Sequence, residues 1–220
     1  RHYAGNVSDM DTVRLLSTDI ERFGGSDALF VMDRGFCSGW NLHFMVQNGY
    51  RFVVPATTGS KAIKKLLTDF NNTKDTEDLE HEGHMYKVWK TEIGIAEAVG
   101  RTKADGEQAY MFTLPGDENH SGKENVAAYV CFDTKKYSDE VQNHKAMISS
   151  LKAAAEEIDA KDPVAEFRKK AGKAFRHFNV EADGRKVKVS VKPKSATFED
   201  NRAGLFVMLA SEGISWETVM

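Results

Sequence analysis

The chain has 220 residues, 41% of them apolar, and a formal net charge of −3. That length allows one large domain or two small ones, with apolar content enough for a true core. The slightly acidic balance gives no global electrostatic signal for nucleic acid, the two cysteines, Cys37 and Cys131, make no disulfide framework, and no apolar run approaches the roughly 20 residues that span a bilayer. No signal peptide is visible, so a reducing cytoplasm is the expected compartment.

Residues 8–23 read as a helix. Ser8 and Asp11 make a capping-box-like pair, Val13, Leu16, Ile20 and Phe23 form one apolar stripe, and Gly24-Gly25 ends it. Residues 28–32 follow as an apolar run of strand length that stops at Asp33 and turns at Gly35. Such a run reads as a strand buried on both faces, as in parallel sheets. Ligands of open α/β sheets bind beyond the carboxyl ends of the strands, where Asp33 falls. A carboxylate there suits a hard divalent cation such as Mg²⁺; it equally suits a turn-forming or helix-capping role. Ser38 caps a second helix at 39–47 with Leu42, Met45 and Val46 inward. Asn48-Gly49 closes it, 50–54 is the next strand, and a third helix runs from Ser60 to Phe70. This alternation argues for an α/β sheet.

The polar, acidic stretch 71–83 reads as a boundary loop. Beyond it, 85–89, part of 93–100, 108–114 and 126–132 read as strands, with a polar loop at 116–124. A long helix spans 138–158, with Val141, Met147, Ile148, Leu151 and Ala155 on its inner face. Pro163 starts another helix to about Gly172. Strands at 175–180 and 186–191 flank the hairpin signal Asp183-Gly184, and the last strand is 205–210. No internal repeat or low-complexity tract is present.

Three segments, in order, carry a family resemblance: Gly5-Asn6-Val7-Ser8-Asp9, then Asp33-Arg34-Gly35-Phe36-Cys37-Ser38-Gly39-Trp40-Asn41-Leu42, then Gly49-Tyr50-Arg51-Phe52-Val53-Val54-Pro55-Ala56-Thr57. Together they resemble the DDE transposases of bacterial insertion sequences, the branch with a D-R-G-F-x-S motif. A weaker likeness returns at Asp200-Asn201-Arg202-Ala203-Gly204 before Leu205 to Leu209. The resemblance implies a ribonuclease-H-like α/β catalytic core, present in part, with a mixed α+β insertion. On it, 1–74 is partial core, 75–200 the insertion subdomain, and 201–220 the return to the core. It also implies metal-dependent DNA strand cleavage and transfer, Mg²⁺ (or Mn²⁺) as cofactor, DNA ends and target as partners, and a homodimer at full length. Asp33 matches the second aspartate of the family's Asp-Asp-Glu triad, making it the catalytic and metal-ligand candidate. The first aspartate is expected before Arg1, and the glutamate beyond Met220 in a Y-x-x-R-x-x-x-E pattern that this chain lacks. Glu217 has neither the tyrosine nor the arginine of that pattern and is not assigned. The opening Arg1-His2-Tyr3 and the helical turn cut short at 215–220 both read as breaks inside a larger protein.

Arg34 is a candidate phosphate contact, since a guanidinium matches phosphate bidentately; it can equally hold a structural carboxylate. Ser38 and Asn41 read as cap and brace of the next helix. Residues 161–194 hold eleven Lys or Arg against four Asp or Glu, an excess of +7. Lys169, Lys170 and Lys173 are its DNA-binding candidates, against the plainer reading of a solvated basic face. His81-Glu82-Gly83-His84 lacks the helical zinc-protease spacing and has no cysteine pair, so a solvated loop is preferred to zinc. The three tryptophans read as core or interface residues. Two other functions stay open: a non-catalytic remnant that binds DNA or serves as structure, and an α/β phosphotransferase using Asp33. The second is disfavoured by Gly35, which stands where such enzymes place another aspartate.

Overall fold

The structure is a computed structural model that describes residues 9–22, 27–100, 124–193 and 202–219. The candidates Asn6, Ser8, Gly24-Gly25 and Asp200, the strand expected at 108–114, and residues 116–123 of the polar loop lie outside the described residues. The chain divides into two compact units, residues 1–132 with 205–220, and residues 133–204.

The first unit is a mixed α/β fold. In chain order it holds α1 (Asp9–Arg22), β1 (Leu29–Val31), α2 (Gly39–Gln47), β2 (Arg51–Pro55), α3 (Lys61–Phe70), β3 (Glu77–His81), β4 (His84–Gly94), α4 (Ile95–Ala98), β5 (Asn125–Asp133) and, after the second unit, β8 (Leu205–Ala210) and α7 (Trp216–Val219). Six strands form one curled sheet in the order β1-β2-β8-β5-β4-β3. β1 and β2 are parallel, while β8 runs antiparallel to both β2 and β5, and β3 antiparallel to β4.

Strand periodicity explains why the central strands look continuously apolar. Successive side chains point to opposite faces, and both faces are covered. Phe52, Val54, Val126, Ala128, Val130, Leu205, Val207 and Leu209 pack with Leu42, Met45, Ile63, Leu67 and Phe70 from the helices. Their neighbours Val53, Ala127, Tyr129, Cys131 and Ala210 face the other way, against Ile214, Trp216 and Val219. The Tyr129 hydroxyl donates to the Ile214 carbonyl oxygen, tying the segment before α7 to the sheet. Burial pushes the Cys131 thiol far up, so it behaves as a small apolar residue.

Three sequence expectations change here. First, β1 is an edge strand of three residues among the described residues, and Val31 is 74% exposed, where the sequence reads as a strand buried on both faces. Second, β3 falls within the segment read as a boundary loop. Its sequence, Glu-Asp-Leu-Glu-His, is almost wholly polar, which an edge strand tolerates because one flank and much of both faces meet water. The turn Glu82-Gly83 that joins it to β4 has φ of +50° and +76° at its two residues, the left-handed pair that suits a two-residue hairpin. Third, the strands of 84–133 continue the sheet that carries β1, so the compact units divide at 133 and not at 75.

The second unit contains α5 (Thr134–Glu156), α6 (Pro163–Ala171), a 3₁₀ segment (Gly172–His177) and the hairpin β6 (Phe178–Asp183) to β7 (Lys186–Val191). Asp133 caps α5, accepting from the Lys135 and Lys136 amides at 2.8 and 3.0 Å. Asp162 caps α6, accepting from Ala165 N at 3.0 Å, with Pro163 as its first residue. The hairpin sits where Asp183-Gly184 predicts it, with Gly184 at φ +63° and Asp183 opposite Lys186. Phe167, edge-on to Phe178 at 5.4 Å, centres a small core with Ala155, Ile158 and Val187. Of the apolar stripe of α5, Ile148, Leu151 and Ala155 join this core, whereas Val141 and Met147 line a cavity instead. Arg185 pairs with Asp159 and Lys188 with Asp183, holding both carboxyls below the usual range. Their small contribution is present above the unfolded pKa and is lost as pH falls through the lowered folded value.

Candidate functional site

β1, α2 and β2 make a strand–helix–parallel strand unit, paired Leu29 to Arg51, Phe30 to Phe52 and Val31 to Val53. Met32 N extends the pairing to Val53 O at 3.0 Å, and the chain then leaves the sheet at Asp33. The side chain of Asp33 is exposed. Its Oδ1 accepts from Gly35 N at 2.6 Å, capping a 3₁₀ turn over Arg34–Phe36. The turn is held from below. Ser38 Oγ accepts from Asn41 N at 3.2 Å, and Asn41 Nδ2 donates to Phe36 O at 2.9 Å. Asn41 is fully buried, so one side chain locks the turn onto α2. Ser38 and Asn41 therefore act as cap and brace.

Cys37 brings the loops after the two parallel strands together. Burial raises its thiol pKa, and a hydrogen bond with the Thr57 backbone acts in the opposite sense. Asp33 thus stands on the exposed end of a turn at the carboxyl side of a parallel strand pair, the side on which such sheets bind ligands. Arg34 beside it is exposed and makes no ion pair among the described residues.

Asp33 is the single triad candidate that the sequence reading assigns here. Among the described residues, no group of three or more His, Cys, Asp or Glu side chains converges to hold a metal ion. A single exposed carboxylate with one oxygen engaged by Gly35 can take one hydrated Mg²⁺ loosely, since Mg²⁺ keeps several waters and needs further oxygen ligands to be fixed. The described residues do not fit a two-metal centre. His81 and His84 face each other across the β3–β4 turn as a register pair.

Lys169 and Lys170 sit on the last turn of α6, and Lys173 follows on the 3₁₀ segment. All three are exposed and make no ion pair among the described residues. Cations at a helix C-terminus complement its dipole, so the lysines have a structural use as well as a surface charge. Arg168 lies over the Phe175 ring at 4.8 Å.

Sequence reasoning did not find the pair His43 Nδ1 and Glu124 Oε2, 2.5 Å apart. The two residues are 81 positions apart, and only the sheet order brings α2 beside the start of β5. No protein-family model, curated protein or solved structure matches this chain.

Among the described residues, no helix is long and apolar enough to cross a membrane.

Proposed function

We propose that the chain is part of a DDE-type DNA transposase with a ribonuclease-H-like core, in which Asp33 supplies one of the metal-binding carboxylates. The reading rests on one observation: the D-R-G-F-C-S segment forms an exposed, braced turn at the carboxyl end of a strand parallel to its neighbour. In such enzymes two divalent ions stabilise the attacking and leaving oxygens of an in-line phosphoryl displacement. The residues of this chain would contribute a fixed carboxylate at Asp33 and a guanidinium at Arg34 suited to a phosphate oxygen. Asn41 would keep the turn from shifting.

The test is Mn²⁺ titration followed by NMR. Paramagnetic broadening should appear first at the amides of 33–36 and vanish in Asp33→Asn. Broadening that begins at the acidic β3 edge and ignores Asp33→Asn would remove the metal-ligand role. The chain alone should not nick DNA with Mg²⁺ or Mn²⁺. Nicking abolished by Asp33→Ala would show that Asp33 belongs to a complete site, with its further carboxylates on this same chain.

A non-catalytic DNA-binding role is the second reading, favoured by the exposed lysines of α6. Binding should be sequence-independent and salt-sensitive, because phosphate neutralisation releases counterions. Reversing Lys169, Lys170 and Lys173 to glutamate should weaken duplex binding at low salt by about tenfold or more, and flatten the log–log salt slope by roughly 2–3. Unchanged affinity would leave the basic segment as plain surface.

A further inference from the structure

The β3–β4 hairpin lies at the opposite end of the sheet order from β1, and the Asp33 reading does not use it. His81 ends β3, His84 begins β4, and the two are Cα partners across the turn Glu82-Gly83. We propose that His81 and His84 form a two-histidine site for a transition-metal ion of the Zn²⁺, Ni²⁺ and Cu²⁺ class.

Register is the first argument. Directly opposed residues of an antiparallel pair project from the same face of the sheet, with β-carbons about 4.5–5.5 Å apart. A solvated loop would give the two rings no common direction; the hairpin gives them one. Glu82 and Gly83, both at positive φ, close the turn in two residues and leave no slack by which the pair could drift apart.

A polar atom without a partner is the second. Both histidines are partly buried. The His84 ring stacks with that of Tyr86, centroids 6.3 Å apart and planes 14° apart, and Tyr86 is itself buried. His84 Nδ1 is enclosed and has no hydrogen-bond partner. Buried polar atoms of native proteins are almost always satisfied, by protein, by water or by an ion. With the ring proton on Nε2, Nδ1 presents a lone pair that no protein donor claims. A metal–nitrogen bond of about 2.0–2.1 Å is shorter than a hydrogen bond, so an ion fits where a water does not.

Charge is the third. Residues 77–84 include Glu77, Asp78, Glu80 and Glu82 and no Lys or Arg, and all four carboxylates are exposed. Lys87 reaches Asp78 across the strands at 3.9 Å and offsets part of this. The hairpin remains anionic, which raises the local concentration of cations. Imidazole nitrogen selects borderline transition metals over Mg²⁺, which prefers oxygen. Among the described residues no third side chain converges with the pair, so water would fill the other positions and binding would be weaker than at a closed four-ligand site. The bound ion would clip the polar strand β3 to β4, its one partner among the described strands.

Zn²⁺ titrated into the full chain at constant ionic strength should shift the ring resonances of His81 and His84 saturably and slow amide exchange in β3. Mg²⁺ should do neither. His81→Gln and His84→Gln should each weaken Zn²⁺ binding by about tenfold or more, since losing a direct ligand costs at least as much as losing a supporting contact. A third variant keeps the histidine count constant. His84→Gln with Met85→His carries the second imidazole to the other face of β4, opposite Glu80, and should not restore binding. Thermal melting without metal checks that each variant is folded. Histidine signals that Zn²⁺ leaves unmoved, binding indifferent to either single substitution in a folded protein, or full affinity in the Met85→His variant overturns the proposal. Asp33→Asn should leave the Zn²⁺ shifts intact, so this site and the Asp33 reading can fail separately.

Discussion

Gly204→Ala should cost about 3 kcal/mol of stability, near the upper end of single substitutions. Two effects add. Gly204 has φ +73°, a conformation that disfavours any side chain. A β-carbon there would also lie 2.7 Å from the Asp133 carbonyl oxygen and 2.7 Å from Tyr137 Cβ. Neither neighbour can yield cheaply. Gly204 O accepts from Asp133 N at 3.0 Å, and Gly204 N is held by Glu140. Gly184→Ala is the control: its φ is +63°, yet nothing lies within 4 Å of the added carbon. It should cost only the backbone strain, roughly 1 kcal/mol. Urea unfolding of the two variants separates clash from strain. Equal losses would mean that the close approach relaxes away.

Phe52→Ala should destabilise the first unit by about 3–5 kcal/mol. The ring is fully buried in β2, with strands on both sides and α2 and α3 packed over its face. Val31→Ala, one strand away at the sheet edge, should stay within about 0.5 kcal/mol, because Val31 is mostly in water. Chemical denaturation of both variants measures the contrast. A large cost for Val31→Ala would mean that this edge is covered in solution.

The elements were legible where local chemistry alone decides them. Ser38 caps α2, Ser60 and Pro163 stand where α3 and α6 begin, and Asp183-Gly184 makes the hairpin. The strand 205–210 was readable because both its faces are buried and no polar residue interrupts it. Illegible features were those set by position in the sheet. Leu29-Phe30-Val31 has the composition of a central strand, and nothing in it announces an edge. β3 has the composition of a loop, and only the partner β4 makes it a strand. The polar stretch after α3 looked like a domain boundary, yet the real division at Asp133 falls between an apolar strand and a helix with no change of composition to mark it. The turn at Asp33 was visible, as were its cap and brace, since all lie within nine residues. The His43–Glu124 pair was not, because it joins residues far apart in the chain.

The two residues at which the chain enters and leaves the second unit are hydrogen-bonded to each other, and the strands they extend, β5 and β8, are antiparallel neighbours paired from Phe132 opposite Leu205 onward. From the sheet's viewpoint the whole of 134–203 is therefore a hairpin loop, grown to the size of a folded body. Loop closure entropy rises only slowly with length, so a short turn joining Asp133 to Gly204 would leave the β5–β8 register intact. The second unit is in this sense a detachable cartridge.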